Sequence, residues 1–250
     1  KGIYRLIIRT PQPDFRLVAY AVNADGDARH PTSAVLRRGG TTVLDIRIQR
    51  QDGFSGDILV SAEDLPEGVA CNGAILRGDD KIASLILHAT EEAPGWTGAI
   101  RVLGTAEVDG QQVIRQARGG DLVWTTSNVK NEPPVARLTQ EVNLSVVDKE
   151  TAPLLVRMGD SATVETSLGG KLELPVKLTR RGEFKAEVTL TAVGLPGEMK
   201  PGELKIAGDE AQLALAVTDT KIQPGTYTFY LQGASKYSHA RNPDAIANAT

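Results

Sequence analysis

His30, His88 and His239 are the only imidazoles in the chain, and imidazole is the side chain whose unperturbed proton affinity suits acid–base work near neutrality. The stretch Gly53-Phe54-Ser55-Gly56-Asp57 superficially resembles a serine-nucleophile turn. However, the Gly-x-Ser-x-Gly spacing is missing, and no helix pattern follows to hold a nucleophile elbow. None of the three histidines belongs to a visible Ser and Asp constellation, so no residue is assigned a catalytic role. Asn23-Ala24-Asp25-Gly26-Asp27 offers oxygen ligands and a turn glycine, half of what a calcium loop needs. A twelve-residue loop must end in a bidentate Glu, and the twelfth position is Ala34 counted from Asn23 and Leu36 counted from Asp25, which excludes the EF-hand form. A surface turn is the better reading there. Asp79-Asp80 is a second acidic turn, which would join a metal site only with ligands from other loops.

The single Cys71 rules out an intradomain disulfide and a metal site built on thiolates. Following Val69-Ala70 with no neighbouring cation or His, it reads as a small buried apolar group rather than a reactive thiol. Aromatic residues make up 4% of the chain, few for a sugar-binding face. Trp96, Trp124 and the run Tyr227-Thr228-Phe229-Tyr230 are the candidates. Trp124 and Tyr227 lie inside strand patterns and are expected in the core. Trp96, after Pro94-Gly95, is the one ring placed for display, although core or edge packing accounts for it better. No metal and no cofactor site is assigned.

The elements around these residues are strands. In Thr42-Val43-Leu44-Asp45-Ile46-Arg47-Ile48-Gln49, Leu44, Ile46 and Ile48 fall on one face and Asp45, Arg47 and Gln49 on the other, the mark of a half-buried antiparallel strand. Further strands are expected at Ile3–Arg9, Arg16–Ala21, Asp57–Glu63, Ile82–Ala89, Gly98–Ala106, Gln112–Gln116 and Asp121–Thr125. In the second half they are expected at Val142–Val147, Leu154–Arg157, Thr163–Thr166, Glu187–Ala192, Gln212–Val217 and Thr226–Gln232. Asp109-Gly110 supplies the positive φ angles of a tight hairpin between two of them. No amphipathic helix is found.

Residues 39–95 return without a gap at 169–225. Gly39-Gly40 returns as Gly169-Gly170, Phe54 as Phe184, Leu65-Pro66 as Leu195-Pro196, Gly78-Asp79 as Gly208-Asp209 and Pro94-Gly95 as Pro224-Gly225. A period of this length implies a duplicated domain rather than a short solenoid repeat. The copy of the strand above, Leu172–Leu178, carries Pro175, which lacks an N–H and so predicts a sheet edge or a bulge. Phe54 and Phe184 are expected as core anchors after a basic strand end (Arg50; Arg180-Arg181), and the repeated Leu-Pro turn as a plug at the end of each unit. The copy replaces Ser55 by Lys185 and His88 by Thr218, which again speaks against catalysis.

The fold class expected is therefore all-β, two tandem immunoglobulin-like antiparallel β-sandwiches. Residues 1–127 form the first, with 1–9 read as the end of a preceding domain. The Pro133-Pro134 stretch makes 128–134 a stiff linker. Residues 135–250 form the second, ending in a polar tail or long loop from Tyr237. The 250 residues carry a net charge of −3 with basic residues scattered among acids, which argues against nucleic-acid binding. No run of apolar residues is long enough for a membrane-spanning helix. The chain opens at Lys1-Gly2-Ile3-Tyr4 with neither an initiator Met nor a signal peptide, so it reads as a piece excised from something longer.

The loops also resemble a family. Gly2-Ile3-Tyr4-Arg5-Leu6, Pro13-Asp14-Phe15, Leu36-Arg37-Arg38-Gly39-Gly40, Asp52-Gly53-Phe54-Ser55-Gly56, Gly104-Thr105-Ala106 and Asn131-Glu132-Pro133-Pro134-Val135-Ala136-Arg137-Leu138 resemble the immunoglobulin-like modules of large exported planctomycete-type proteins that follow a pre-peptidase C-terminal domain. The likeness covers most of residues 1–235 and consists of turn and core signatures. It implies a segment of a secreted or cell-envelope protein and carries over no active-site residue. The function expected is a non-enzymatic spacer or adhesion module whose partners are other domains of the same chain. The alternative is a module that binds cell-surface polysaccharide or protein, accessory to a hydrolase.

Overall fold

The structure, a computed structural model, describes residues 8–22, 32–124, 135–159, 166–182, 184–202, 204–217, 222, 226–239 and 242–249. The described residues form twenty strands and no helix. Period-two alternation places the strands as expected: Leu44 and Ile46 are buried while Asp45 and Arg47 are not.

The first twelve strands build one sandwich. They are β1 (Asp14–Ala21), β2 (Ala34–Arg38), β3 (Thr41–Gln51), β4 (Ile58–Glu63), β5 (Val69–Cys71), β6 (Ala74–Leu76), β7 (Ile82–Ala89), β8 (Trp96–Val108), β9 (Gln111–Gln116), β10 (Arg118–Trp124), β11 (Val135–Thr139) and β12 (Val142–Thr151). One sheet runs β11-β10-β1-β3-β7-β5, the other β2-β12-β8-β4-β6 with β9 also on β8. Phe15, Leu17, Leu44, Ile46, Leu85 and Leu87 of the first sheet share a core with Leu36, Ile58, Val60, Ile100, Val102 and Leu144 of the second. The β8–β9 hairpin turns at Asp109 (φ 50°) and Gly110 (φ 76°), the geometry its sequence predicts.

The second sandwich is smaller. It comprises β13 (Leu154–Met158), β14 (Lys171–Arg180), β15 (Val188–Val193), β16 (Met199–Pro201), β17 (Leu204–Ile206), β18 (Glu210–Val217), β19 (Tyr230–His239) and β20 (Asn242–Ala249). Its sheets run β13-β14-β18-β16 and β17-β15-β19-β20. Val176, Leu178, Leu213 and Leu215 meet Val188, Leu190 and Ile206 in a separate core.

Several expectations change. Residues 128–134 lie outside the described residues, but the strands after them do not begin a new unit. β11 pairs with β10, and β12 lies between β2 and β8, bringing Val142, Leu144 and Val146 into the first core. The two cores divide at Ala152-Pro153. A Pro-Pro pair reports only local extended backbone, whereas membership of a core is decided by ladder partners distant in sequence. The polar tail from Tyr237 is also not a loop, since β20 pairs along β19. Nor is every pairing antiparallel: β1 with β10 and β2 with β12 run parallel.

Pro175 marks neither a bulge nor an outer edge. β14 pairs in unbroken register with β18, and the Pro175 carbonyl accepts from Gly159 N–H at 2.7 Å. Since N and C=O of one residue face the same side of an antiparallel strand, its nitrogen faces Gly159, just past the end of β13. The repeat is not gap-free either. Ile48 N–H donates to Lys81 O where Leu178 N–H donates to Asp209 O, so the turn before β18 is two residues shorter than the one before β7. Buried Leu85 and Leu87 therefore correspond to Leu213 and Leu215. Ile3–Arg9 and Thr163–Thr166 fall largely outside the described residues, and the strand expected from Thr226 starts only at Tyr230.

Candidate functional site

The duplicated polar chemistry of the chain converges on one device, built once in each sandwich. Arg50 lies one residue from the end of β3 and Arg180 ends β14, and each turns back over the phenylalanine four residues on. The guanidinium carbon lies 5.2 Å from the Phe54 ring centroid and 5.6 Å from that of Phe184, a cation–π arrangement. Phe54 stacks on Phe15 at 5.4 Å, and both phenylalanines are buried. Arg50 donates to the carbonyls of Gly56 (2.6 Å) and Arg77 (2.5 Å). Arg180 donates to Ala186 (2.5 Å) and to Ile206, Ala207 and Gly208 (3.2, 3.4 and 3.0 Å).

Each arginine thus ties the turn after its own strand to the turn entering the strand beside it in the sheet, β7 or β18, using the planar fork that a lysine lacks. The copies differ most at Nε. Arg180 Nε donates to Asp209 at 3.0 Å, while Arg50 Nε is buried without a partner. The shorter second turn puts Asp209 where the first has Lys81, and the carboxylate comes within reach. Burial lowers the Arg50 guanidinium below its usual proton affinity, against the opposing charges of Asp57, Asp80 and Asp79.

Among the described residues, the sequence candidates are not brought together at this device. Ser55 is exposed beside Phe54, whereas His88 pairs with Thr41 and Ala70 at the opposite end of the sandwich. His30 and Asn23–Asp27 lie outside the described residues, and His239 is described only as backbone of β19. Asp80 accepts from Arg77 N–H at 2.8 Å, so this acidic turn binds its own backbone. Among the described residues no group of three His, Cys, Asp or Glu side chains is placed to hold a metal ion. Cys71 is half-buried against the first core, its thiol accepting from Gly73 N–H at 3.4 Å. Burial raises its proton affinity, with the bonds from Gly73 and Ala62 opposing.

Trp96 packs against the first core with its ring folded along its own strand over Gly98, where a Cβ would lie 2.6 Å from it. Trp124 is described only as backbone of β10. Tyr227 is half-buried with Arg77 4.0 Å above its ring. The Leu-Pro turns match in both copies, Val69 N–H donating to Pro66 O and Met199 N–H to Pro196 O at 3.1 and 3.0 Å.

Sequence reasoning missed Arg181, at the junction of the two cores. It donates to Glu91 through Nε and Nη2 (2.9 and 2.7 Å) and to the carbonyls of Gly39 (3.1 Å) and Ala152 (2.8 Å). Only the doublet itself signals it, because the first copy carries Gln51 at the matching place.

No family model matches the chain, and no curated protein matches it. Among solved structures, it is similar to a protein of unknown function from Porphyromonas gingivalis W83, at 14% identity over 84% of each chain with a TM-score of 0.27. It is also similar to domains 4–9 of the surface layer protein SbsC, at 11% identity and a TM-score of 0.31. That match covers 95% of this chain and 31% of the SbsC chain. Likenesses this distant say nothing about role.

Proposed function

We propose that this chain is a non-enzymatic structural module, a spacer or adhesion segment of a larger secreted or cell-envelope protein. The observation that carries this is the parallel pairing of strands near the two ends of the first sandwich. The chain enters at β1 and β2 and leaves through β12, and β2 runs parallel to β12 over Leu144 to Val147. Tension entering from the N-terminal side meets β1 on β3 first; once β1 is drawn off, it pulls β2 and β12 in opposite directions along their length, so these ladder bonds are loaded together in shear. The duplicated arginine–phenylalanine device supports the same reading, since the polar groups that recur are used to tie turns to the core. The exported location rests on the family resemblance of the loops.

Single-molecule pulling on the chain tests this. Forced unfolding is governed by the unfolding rate, and Ala34→Pro removes a donor on the β12 side of β2, since Arg38 O accepts from Ala152 N–H and every second residue of a strand faces the same neighbour. The first-sandwich force peak should fall in this variant while that of the second is unchanged. Equal forces for variant and parent would refute a ladder that resists tension.

A second reading, binding to a protein partner, is favoured by one surface feature. Leu59, Thr105 and Ile114 lie in register across β4, β8 and β9, and Leu59 and Ile114 are 55% and 52% exposed. Leu59→Ser with Ile114→Ser would abolish such binding without lowering the melting temperature.

A further inference from the structure

We infer that the two sandwiches lie side by side, folded back on each other at Ala152-Pro153, and that Arg181 is the latch of this closed form. In the first sandwich Gly39 and Glu91 mark one end, where Gly39 N–H donates to Thr90 O. Arg77 marks the other, where Arg50 at the far end of β3 binds its carbonyl. β3 has eleven residues, so these ends are about 35 Å apart at 3.3 Å per residue.

In the second sandwich Arg181 follows β14 directly and donates through its backbone N–H to Pro153 O at 2.9 Å. Tyr227 sits at the opposite end, just before Tyr230 pairs with Val193 at the close of β15. Arg181 reaches Glu91 and Gly39, while Arg77 covers Tyr227. Each sandwich therefore meets its neighbour at both of its ends, with the ends exchanged. Two units joined end to end can meet only at one.

Two further observations agree. Ala152 N–H donates to Arg38 O at 2.8 Å, which holds the corner of the chain against the first sandwich. Tyr230, raised in proton affinity by burial and then by Asp45, lies within the field of a residue midway along β3. The latch is not part of the repeated device, because Arg181 replaces Gln51. The inference goes beyond the spacer proposal and does not rest on it. A folded-back pair spans about one sandwich length, and an opened pair spans two.

Small-angle scattering of the 250-residue chain reads the difference directly. A compact chain of this size has a radius of gyration of about 18 Å, whereas two half-size units with centres about 40 Å apart give about 24 Å. The parent should lie near the smaller value. Arg181→Ala combined with Arg77→Ala should move it toward the larger, with the strand signal in circular dichroism unchanged. Glu91→Lys places a like charge opposite Arg181 on an exposed side chain and should open the pair by a second route. A parent near 24 Å would overturn the folded-back arrangement. A parent near 18 Å with neither variant expanding would overturn the latch.

Discussion

Replacing Arg50 by Ala removes two charge-assisted hydrogen bonds to carbonyls, Gly56 at 2.6 Å and Arg77 at 2.5 Å, and the cation–π contact on Phe54. Bonds of this kind contribute about 1.5–3 kcal/mol each, but Arg50, Gly56 and Arg77 are only half-buried and water can reach the freed carbonyls. About 3 kcal/mol is therefore expected rather than the sum. For a unit of this size that corresponds to a fall in melting temperature of roughly 6–12 °C. Scanning calorimetry is the assay, because the two cores are separate and the transition of the first should move while that of the second stays. Arg180→Ala should do the reverse. Arg50→Lys should recover only part of the loss, since an ammonium cannot bond both carbonyls in a plane. A change below about 0.5 kcal/mol for Arg50→Ala, the range of an ordinary surface substitution, would refute the role given to this arginine.

Gly104→Ala should destabilise the first sandwich by about 1–3 kcal/mol, as overpacking does. A Cβ there would collide with Leu17 and lie 3.0 Å from Ile58 and 3.1 Å from Phe15, whereas Gly197 has open space and its Ala variant is the neutral control in the same urea titration. Asp14 is held below its usual range: burial raises it, but the bonds from Arg115 and from Phe15 N–H prevail. Asp52 is lowered by the Gln12 N–H and by Arg9. Depressed carboxyls contribute stability above their unfolded proton affinity, about pH 4, and lose it as pH falls through the folded value. The double variant Asp14→Asn with Asp52→Asn should be less stable at pH 7 and lose less on acidification; parallel pH curves would contradict this. Cys71, raised by burial, should react slowly with a thiol reagent in the native chain and rapidly in denaturant, and equal rates would place it at the surface.

Much of the strand content was legible because its signals are local. The alternation of Leu44, Asp45, Ile46 and Arg47 reports one buried face, Asp109-Gly110 reports a turn, and Phe54 with Phe184 report repeated core anchors. What stayed hidden depends on partners distant in sequence. Val142, Leu144 and Val146 have the same pattern whichever core they enter, and only pairing with β8 and β2 assigns them to the first. β5, β6, β16 and β17 are three residues each, too short for periodicity to show. The two-residue shortening before β18 was masked because Gly208-Asp209 copies Gly78-Asp79 in type while Asp209 takes the place of Lys81. Arg50 and Arg180 read as basic strand ends, since nothing local says that a guanidinium folds back over a phenylalanine. Trp96 shows the same limit: a ring after Pro-Gly suggests display, yet Gly98 two residues on leaves the space in which it lies flat.

The most direct test of a structural role is thermal unfolding of the chain with calcium, with chelator and against a panel of polysaccharides. A ligand at 100 times its dissociation constant adds about 2.7 kcal/mol to the native state. A spacer should melt at one temperature throughout the panel, and a reproducible rise with any member would contradict that role and identify a binding module.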